Sequence, residues 1–442
     1  MDISKLILSN HPTTCSLDPI PTHLLQAISS SVIPSLTHII NTSLHSGTIP
    51  TAFKQARVSP LLKKPSLNLA ILEIYRPVSL LPFIAKTLER VVFNQLSMFL
   101  VQNNLLDSNQ FGFKSGHSTE TALLSVTEAL RLARAASKSS VLILLDLSAA
   151  FDTVNHQILL STLRKMGISR TALQWFKSYL SGRSFRVSWR GEVSKSQLLA
   201  TGFPQGLVLG PLLFSIYMMS TGSVIQKHGF SYHCYADDTQ LYFSFQPDDL
   251  TVAARIAACL RDISSWMKDH HLQLNLTELL VVPASPSFHH NYSIQLGSST
   301  ITPFRTARNL GLVIVHQLRF TDHIATRSCR FALYNIRKIR LDYCNALFAG
   351  LPACSIKPLQ LIPNAAARVI FNESKKSSCY SSPHQVTLST SSPSHQIQGT
   401  DACLQDDHLR GTNINSLVQT YVPSRSLRSA SEWRLLVPYQ RG

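Results

Sequence analysis

Acidic side chains are scarce in this sequence. Twenty-four Asp and Glu stand against forty-one Lys and Arg over 442 residues, a formal net charge of +17. A basic surplus of that size points to a polyanionic partner, either nucleic acid or an anionic membrane surface. Paired cysteines are missing as well. None of Cys15, Cys234, Cys259, Cys329, Cys344, Cys354, Cys379 and Cys403 stands in a C-x-x-C pair, and none precedes histidines at finger spacing. That excludes a zinc finger, and the scatter favours reduced thiols in the cytosol or nucleus. Long apolar runs are absent too. The longest, VLGPLLFSIYMM (208–219), holds a glycine and a proline and falls short of the ~20 residues a bilayer span needs. The start, MDISKLILSN, lacks a basic segment leading into an apolar stretch, so no signal peptide is expected. The membrane alternative drops out, and an intracellular protein, cytoplasmic or nuclear, is expected.

Hydrophobic residues make up 44% and charged residues 15% of the chain, as in a globular protein able to bury one large core or two to three modest ones. Residues 1–50 read as helical pieces broken by Pro12, Pro19, Pro21 and Pro34. ARVSPLLKKP (56–65) is strand-like. In YRPVSLLPFIAKTLERVVFNQLSMFL (75–100), Ile84, Leu88, Val91, Val92 and Leu96 follow helical spacing. Ser118 can cap an amphipathic helix over 118–136. VLILLDL (141–147) is aliphatic without alternation, as expected of a strand covered on both faces. A helix is expected over 156–167, two short strands around a tight turn over 231–245, and a helix over 251–271. From about 374 the chain turns rich in Ser, Thr, Pro, His and Gln, a composition too polar to offset its ordering entropy.

Three acids carry the chemistry. Asp146 ends the buried strand, and Asp237 and Asp238 sit at the expected hairpin turn. An unpaired carboxylate at the end of a doubly covered strand costs several kcal/mol unless it faces water or a cation. Adjacent acids in a turn between apolar strands repel, and a divalent cation relieves that repulsion. Taken alone, Tyr235-Ala236-Asp237-Asp238 reads first as ordinary turn chemistry. If the hairpin packs beside the Asp146 strand, the three carboxylates make an oxygen-rich site suited to Mg²⁺ (or Mn²⁺). Two ions there would activate an attacking hydroxyl and stabilise a departing phosphate oxygen.

Further along, Arg305, Arg308, Arg319, Arg327, Arg330, Arg337, Lys338 and Arg340 accumulate against the lone Asp322. Ala332, Leu333, Ile336 and Ile339 form an apolar stripe beside them. The helical part of this stretch reads as a basic amphipathic helix for a nucleic-acid backbone, with Arg327, Arg330, Arg337 and Lys338 on its charged face.

LLDLSAAFDTVNHQILL, TGFPQGLVLGPLLFSIYM and YADD, in that order, resemble three ordered motifs of the reverse transcriptases of non-LTR (LINE-type) retrotransposons. The resemblance runs from about residue 13 to 372, through CSLDPIPTHLL, YRPVSLLPFIAKTLERVV, QFGFKSGHSTETALL, WMKDHHLQLN, ARNLGLVIVHQLRFTDHI and LDYCNALFAGLP. It implies an α+β right-hand polymerase with fingers, a palm built on an antiparallel sheet, and a helical thumb. Expected divisions are a helical extension at 1–50, fingers and palm at 51–318, a shortened basic thumb-like region at 319–373, and a disordered linker and basic tail at 374–442. The implied function is RNA-directed DNA polymerase, with two divalent ions, an RNA template, a DNA primer and deoxynucleoside triphosphates. By motif match Asp146 and Asp237 would be metal ligands with the Leu147 carbonyl, and Asp238 a supporting acid. Phe151 would exclude a ribose 2′-hydroxyl by its bulk. The Gly202-Phe203-Pro204-Gln205-Gly206 loop would approach a base pair through its backbone, with Gln205 and Gly206 at the nucleotide. Arg76, with Lys63 or Lys64, would grip the triphosphate.

The sequence also departs from that pattern. Leu207 stands where serine is usual. LQLNLTELL (272–280) lacks the family's lysine before Thr-Glu, and IRKIR runs straight into LDYCNALF. No nuclease segment precedes the polymerase motifs, so target cleavage is not expected of this chain. These departures keep a second reading open, a catalytically impaired retroelement remnant that only binds nucleic acid.

Overall fold

A computed structural model describes residues 3–9, 15–63, 74–285, 292–296, 299–318 and 344–348, the single positions Ile71, Phe320, His323, Ile324 and Lys357, and residues 419–420 and 435–436. The basic stretch holding Arg327, Arg330, Arg337 and Lys338, and the Ser-rich segment after 374, lie outside the described residues apart from those last two pairs.

Helices α1 (Ile3–Ser9), α2 (Thr22–Ala27) and α3 (Ser29–Ser46) open the chain. Pro34 does not break α3 as expected. It removes one backbone donor, while Leu36, Ile40 and Ser43 bury along the same helix and carry it through. Strands β1 (Gln55–Leu62) and β2 (Tyr75–Leu80) follow, then α4 (Phe83–Gln102). The 75–100 segment therefore divides, extended before Pro82 and helical after it. Pro77 and Pro82 account for the division, because the residue before a proline is driven out of the helical region. Helix α5 (Thr119–Ala135) begins at Ser118, as expected. The Ser118 hydroxyl accepts the Thr121 N–H at 3.2 Å, and the Thr121 hydroxyl accepts the Ser118 N–H at 2.8 Å. The two side chains satisfy one orphan donor each.

Next come β3 (Ser139–Ser148), α6 (His156–Lys165), α7 (Arg170–Leu180), β4 (Ser184–Trp189), β5 (Glu192–Val193) and β6 (Gln197–Leu198). Then follow α8 (Gly210–Met218), α9 (Thr221–Lys227), β7 (Ser231–Tyr235), β8 (Asp238–Phe245), α10 (Val252–Asp269) and β9 (Gln273–Val282). The short pairs β10 (Ile294–Leu296) with β11 (Ser299–Ile301), and β12 (Thr306–Asn309) with β13 (Leu312–Val315), come next. Residues 306–315, the front of the arginine-rich stretch, are a β-hairpin. Leu310-Gly311 makes its turn, with both residues at positive φ.

Two sheets organise the molecule. One has the order β2-β1-β4-β5, with β6 also on β4. Its β1–β2 pair is antiparallel and its β1–β4 pair parallel. The other is antiparallel, in the order β7-β8-β3-β9. Strand β3 is central and covered on both faces. Val141, Ile143, Leu145 and Leu147 enter the main core with α6, α8 and α10, while Leu142 and Leu144 enter a second core with α5, β9 and the β12–β13 hairpin. Each buried aliphatic side chain contributes about 1.5–3 kcal/mol. Six of them outweigh the few kcal/mol that holding a carboxylate at the strand end costs. Neither face is wet, which is why the sequence of β3 does not alternate. Among the described residues no helix is long and apolar enough to cross a membrane.

Candidate active site

The hairpin does pack beside the Asp146 strand. In the β3–β8 ladder Leu145 pairs with Thr239, so the next step of the register sets Asp146 across from Asp238. Tyr235 pairs with Asp238 to close β7 on β8, leaving Ala236 and Asp237 as the turn, with Ala236 at φ 61°. Asp146 continues the even-numbered face of β3 that carries Leu142 and Leu144. That face opens into a cleft of ≈ 270 Å³ lined by Leu144, Asp146, Asp238, Gln240, Arg308 and Asn309. Asn309 donates to the Gln240 side chain at 3.0 Å, fixing the hairpin wall against the sheet.

Electrostatics tie the third acid to the other two. Asp238 is exposed at the cleft rim, yet its carboxyl is pushed up to about 6, by desolvation first and then by the charges of Asp237 and Asp146. The Asp237 carboxyl is also raised, by burial first, with the Asp146 charge adding to it. Among the described residues none of the three belongs to an ion pair. Three mutually repelling, hard oxygen donors without a protein cation fit a divalent metal by their chemistry. Among the described residues no three His, Cys, Asp or Glu side chains form a ready metal-binding group. A magnesium-type site tolerates this, because waters and substrate phosphates complete its shell. Leu147 lies one residue beyond Asp146, buried and paired with Leu274 of β9.

Phe151 is half-buried and stacks on Phe214 of α8, ring centroids 4.7 Å apart and planes 25° from parallel. Its carbonyl accepts the Phe203 N–H at 2.8 Å, which joins it to the glycine loop. That loop also touches the other sheet, where the Ser79 N–H of β2 donates to the Gln205 carbonyl at 2.7 Å. Gly206 has φ +107°, and a Cβ there would lie 2.8 Å from the Ser79 carbonyl oxygen. Only glycine accepts both that backbone angle and that approach. Arg76 and Lys63 are exposed at the end of the β1–β2 pair nearest the connection between the two strands, away from the described acids in sequence and sheet.

Sequence reasoning missed Glu89. It lies on α4 within a buried apolar stripe and is 3% exposed. Its carboxylate accepts the N–H groups of Val208 at 2.7 Å and Leu209 at 3.2 Å, where the glycine loop enters α8. Arg183, 2% exposed, lies 3.9 Å from it. The available signal was an acid amid Leu88, Val91 and Val92, where a solvated face does not belong.

The acids thus gather at one end of an antiparallel sheet, beside a cleft that Arg308 also lines. The family described as "Reverse transcriptase (RNA-dependent DNA polymerase)" matches residues 62–282, half of the chain. The "Probable RNA-directed DNA polymerase from transposon BS" of Drosophila melanogaster is 28% identical over 348 residues, 76% of this chain and 37% of that protein. The "RNA-directed DNA polymerase from mobile element jockey" of the same species is 27% identical over 327 residues, 73% of this chain and 35% of that protein. A third, the "Probable RNA-directed DNA polymerase from transposon X-element", is 33% identical over 193 residues, 44% of this chain and 21% of that protein. The chain belongs to the reverse transcriptase family, among its non-LTR (LINE-type) members, and its four-stranded sheet is the polymerase palm. It spans a little over a third of the length of the first two relatives.

Proposed function

We propose that this chain is an RNA-directed DNA polymerase that extends a DNA primer on an RNA template with deoxynucleoside triphosphates. The observation that carries the reading is the coming together of Asp146, Asp237 and Asp238 at the β3–β8 end, beside a cleft and with no cation among the described residues paired to them. Asp146 and Asp237 would hold two divalent ions, Mg²⁺ or Mn²⁺, with the Leu147 carbonyl, and Asp238 would support them. Such ions activate the primer 3′-hydroxyl and neutralise departing pyrophosphate. The residues of the chain do the rest. The Phe151 ring, braced on Phe214, fills the space a 2′-hydroxyl would need. Gln205 and Gly206, held to β2 through Ser79, bring backbone against the nascent base pair. Arg76 and Lys63 hold the triphosphate from the β1–β2 sheet, which acts as the fingers. In this reading residues 51–318 are fingers and palm, 1–50 a helical extension, 319–373 a short thumb-like region and 374–442 a linker and tail. Arg327, Arg330, Arg337 and Lys338 of the thumb-like region bind the primer–template backbone.

Primer extension on an RNA template by the purified chain tests this. Extension that disappears in Asp237→Asn sustains it. Equal behaviour of the two proteins, or no product from either, rejects it.

One observation favours a second reading, nucleic-acid binding without catalysis. The β3–β9 register shifts between Leu144↔Glu278 and Leu145↔Leu276, passing over Thr277. That irregularity lies where the family's lysine is missing and one step from Asp146. Salt-dependent RNA binding without extension is its signature. Extension recovered on inserting a lysine between Leu276 and Thr277 counts against a damaged palm.

A further inference from the structure

The turn that carries Asp237 is held from outside its own hairpin. Gln110 lies in the segment between α4 and α5 and is 7% exposed. Its side-chain oxygen accepts the Ala236 N–H at 3.1 Å, and its side-chain NH₂ donates to the Ala236 carbonyl at 3.3 Å. The same oxygen accepts the Gly112 N–H at 2.8 Å. Ala236 is buried and sits at φ 61°, where a residue with a Cβ is strained. Hairpin pairing stops at Tyr235↔Asp238, so the ladder leaves the Ala236 donor and acceptor unsatisfied. A primary amide offers a donor and an acceptor side by side, fixed in one plane.

The rest of the segment fastens the amide in place. The Phe111 N–H donates to the Cys234 carbonyl at 2.7 Å, and the Cys234 N–H donates to the Asn109 carbonyl at 2.8 Å. The Tyr232 hydroxyl donates to Asp107 at 3.0 Å. Gly112 has no room for a side chain, since a Cβ there would fall 2.3 Å from the Ala236 nitrogen. Backbone thus meets backbone directly beside the turn.

We propose that Gln110 is a positioning residue for Asp237, its amide holding the Ala236 turn so that the acidic pair stays aligned with Asp146. The proposal rests on the polymerase reading above for its catalytic consequence, but the clamp itself can be read without turnover. Gln110→Met keeps the volume and removes both hydrogen-bonding functions.

In the substrate-free chain, the Ala236 amide should exchange with solvent about tenfold faster or more in Gln110→Met, because its opening no longer breaks a buried bond. Amides of 141–145 in β3 should be unchanged. Mn²⁺, titrated into the chain and followed by its paramagnetic resonance signal, should bind more weakly. In primer extension kcat should fall about 100-fold, as a misplacement near 1 Å does, while KM for the deoxynucleotide stays within a fewfold.

Unchanged Ala236 exchange overturns the proposal. So does a loss confined to KM, which would place Gln110 at substrate. If wild-type protein fails to extend but Gln110→Met still frees the turn and weakens Mn²⁺, the clamp stands and the polymerase reading falls. Should Gln110→Met not fold, Gly112→Ala presses on the same Ala236 nitrogen and on the Gln110 amide oxygen bound to it. It must give the same split of kcat from KM and the same faster exchange, or the proposal is wrong.

Discussion

The Glu89 carboxylate accepts the Val208 backbone N–H at 2.7 Å from within the core, joining α4 to the start of α8 across 119 residues of chain. Leu209 donates to the same oxygen at 3.2 Å, and Arg183 stands 3.9 Å away with its Nε donating to the Tyr179 carbonyl. The carboxylate thus meets orphan donors at a helix N-terminus, where negative charge is favoured. Glu89→Ala deletes the acceptor and strands Arg183 as a buried, uncompensated cation. The expected loss is about 3–5 kcal/mol of unfolding free energy, measurable by urea denaturation. A loss below ~1 kcal/mol would mean the pair contributes little.

Glu89 also predicts a pH trend. Burial raises its carboxyl above the ordinary 4.5, and Arg183 with the two N–H groups only partly opposes that. A carboxyl raised in the folded state binds its proton more tightly there than when unfolded. It therefore favours folding below 4.5, and that contribution is lost as pH rises through the folded value. Glu89→Gln cannot titrate. The stability difference between wild type and Glu89→Gln should move towards the Gln variant as pH increases from 4.5. A difference flat with pH, or one moving the other way, contradicts this.

Much of the palm was legible because its signals are local. An unbroken aliphatic run ending in Asp146 marked a strand with two covered faces. Apolar residues flanking Ala236-Asp237 marked a hairpin, and Ser118 marked a helix start. What was not legible depends on distant partners. Glu89 reads as one acid in a helix until Val208 and Arg183 are placed around it. Gln110 reads as loop until its amide is seen against Ala236. The arginines from 305 onward marked charge, not local structure. Residues 306–315 form a hairpin, since Ala307, Leu312 and Ile314 bury against β9 and α5 and Gly311 supplies the turn. Packing against distant elements decided that segment, and charge density carries no information about packing.

Gly206 predicts a separation of binding from chemistry. Its φ of +107° and the 2.8 Å approach of a would-be Cβ to the Ser79 oxygen leave alanine no unstrained solution. Gly206→Ala should push the loop off β2 and break the 2.7 Å bond from Ser79 N–H to the Gln205 carbonyl. In primer extension KM for the deoxynucleotide should rise about tenfold or more, with kcat reduced less. A fall in kcat alone would detach this loop from nucleotide binding.

Phe151 predicts the choice of sugar. The ring stacks on Phe214 at 4.7 Å, on a backbone that Phe203 ties in place, so swinging it aside to admit a larger substituent at C2′ would cost the stack. Phe151→Val leaves the backbone tie and removes most of the wall. Steric exclusion by one apolar group is worth about 10- to 200-fold between substrates. The ratio of kcat/KM for deoxynucleotide over ribonucleotide should fall within that range, chiefly because the ribonucleotide improves. The half-buried ring limits the accompanying loss of stability to about 1–3 kcal/mol, so the variant should remain folded at 25 °C. An unchanged ratio in a folded variant would remove Phe151 from the sugar pocket and return it to the core.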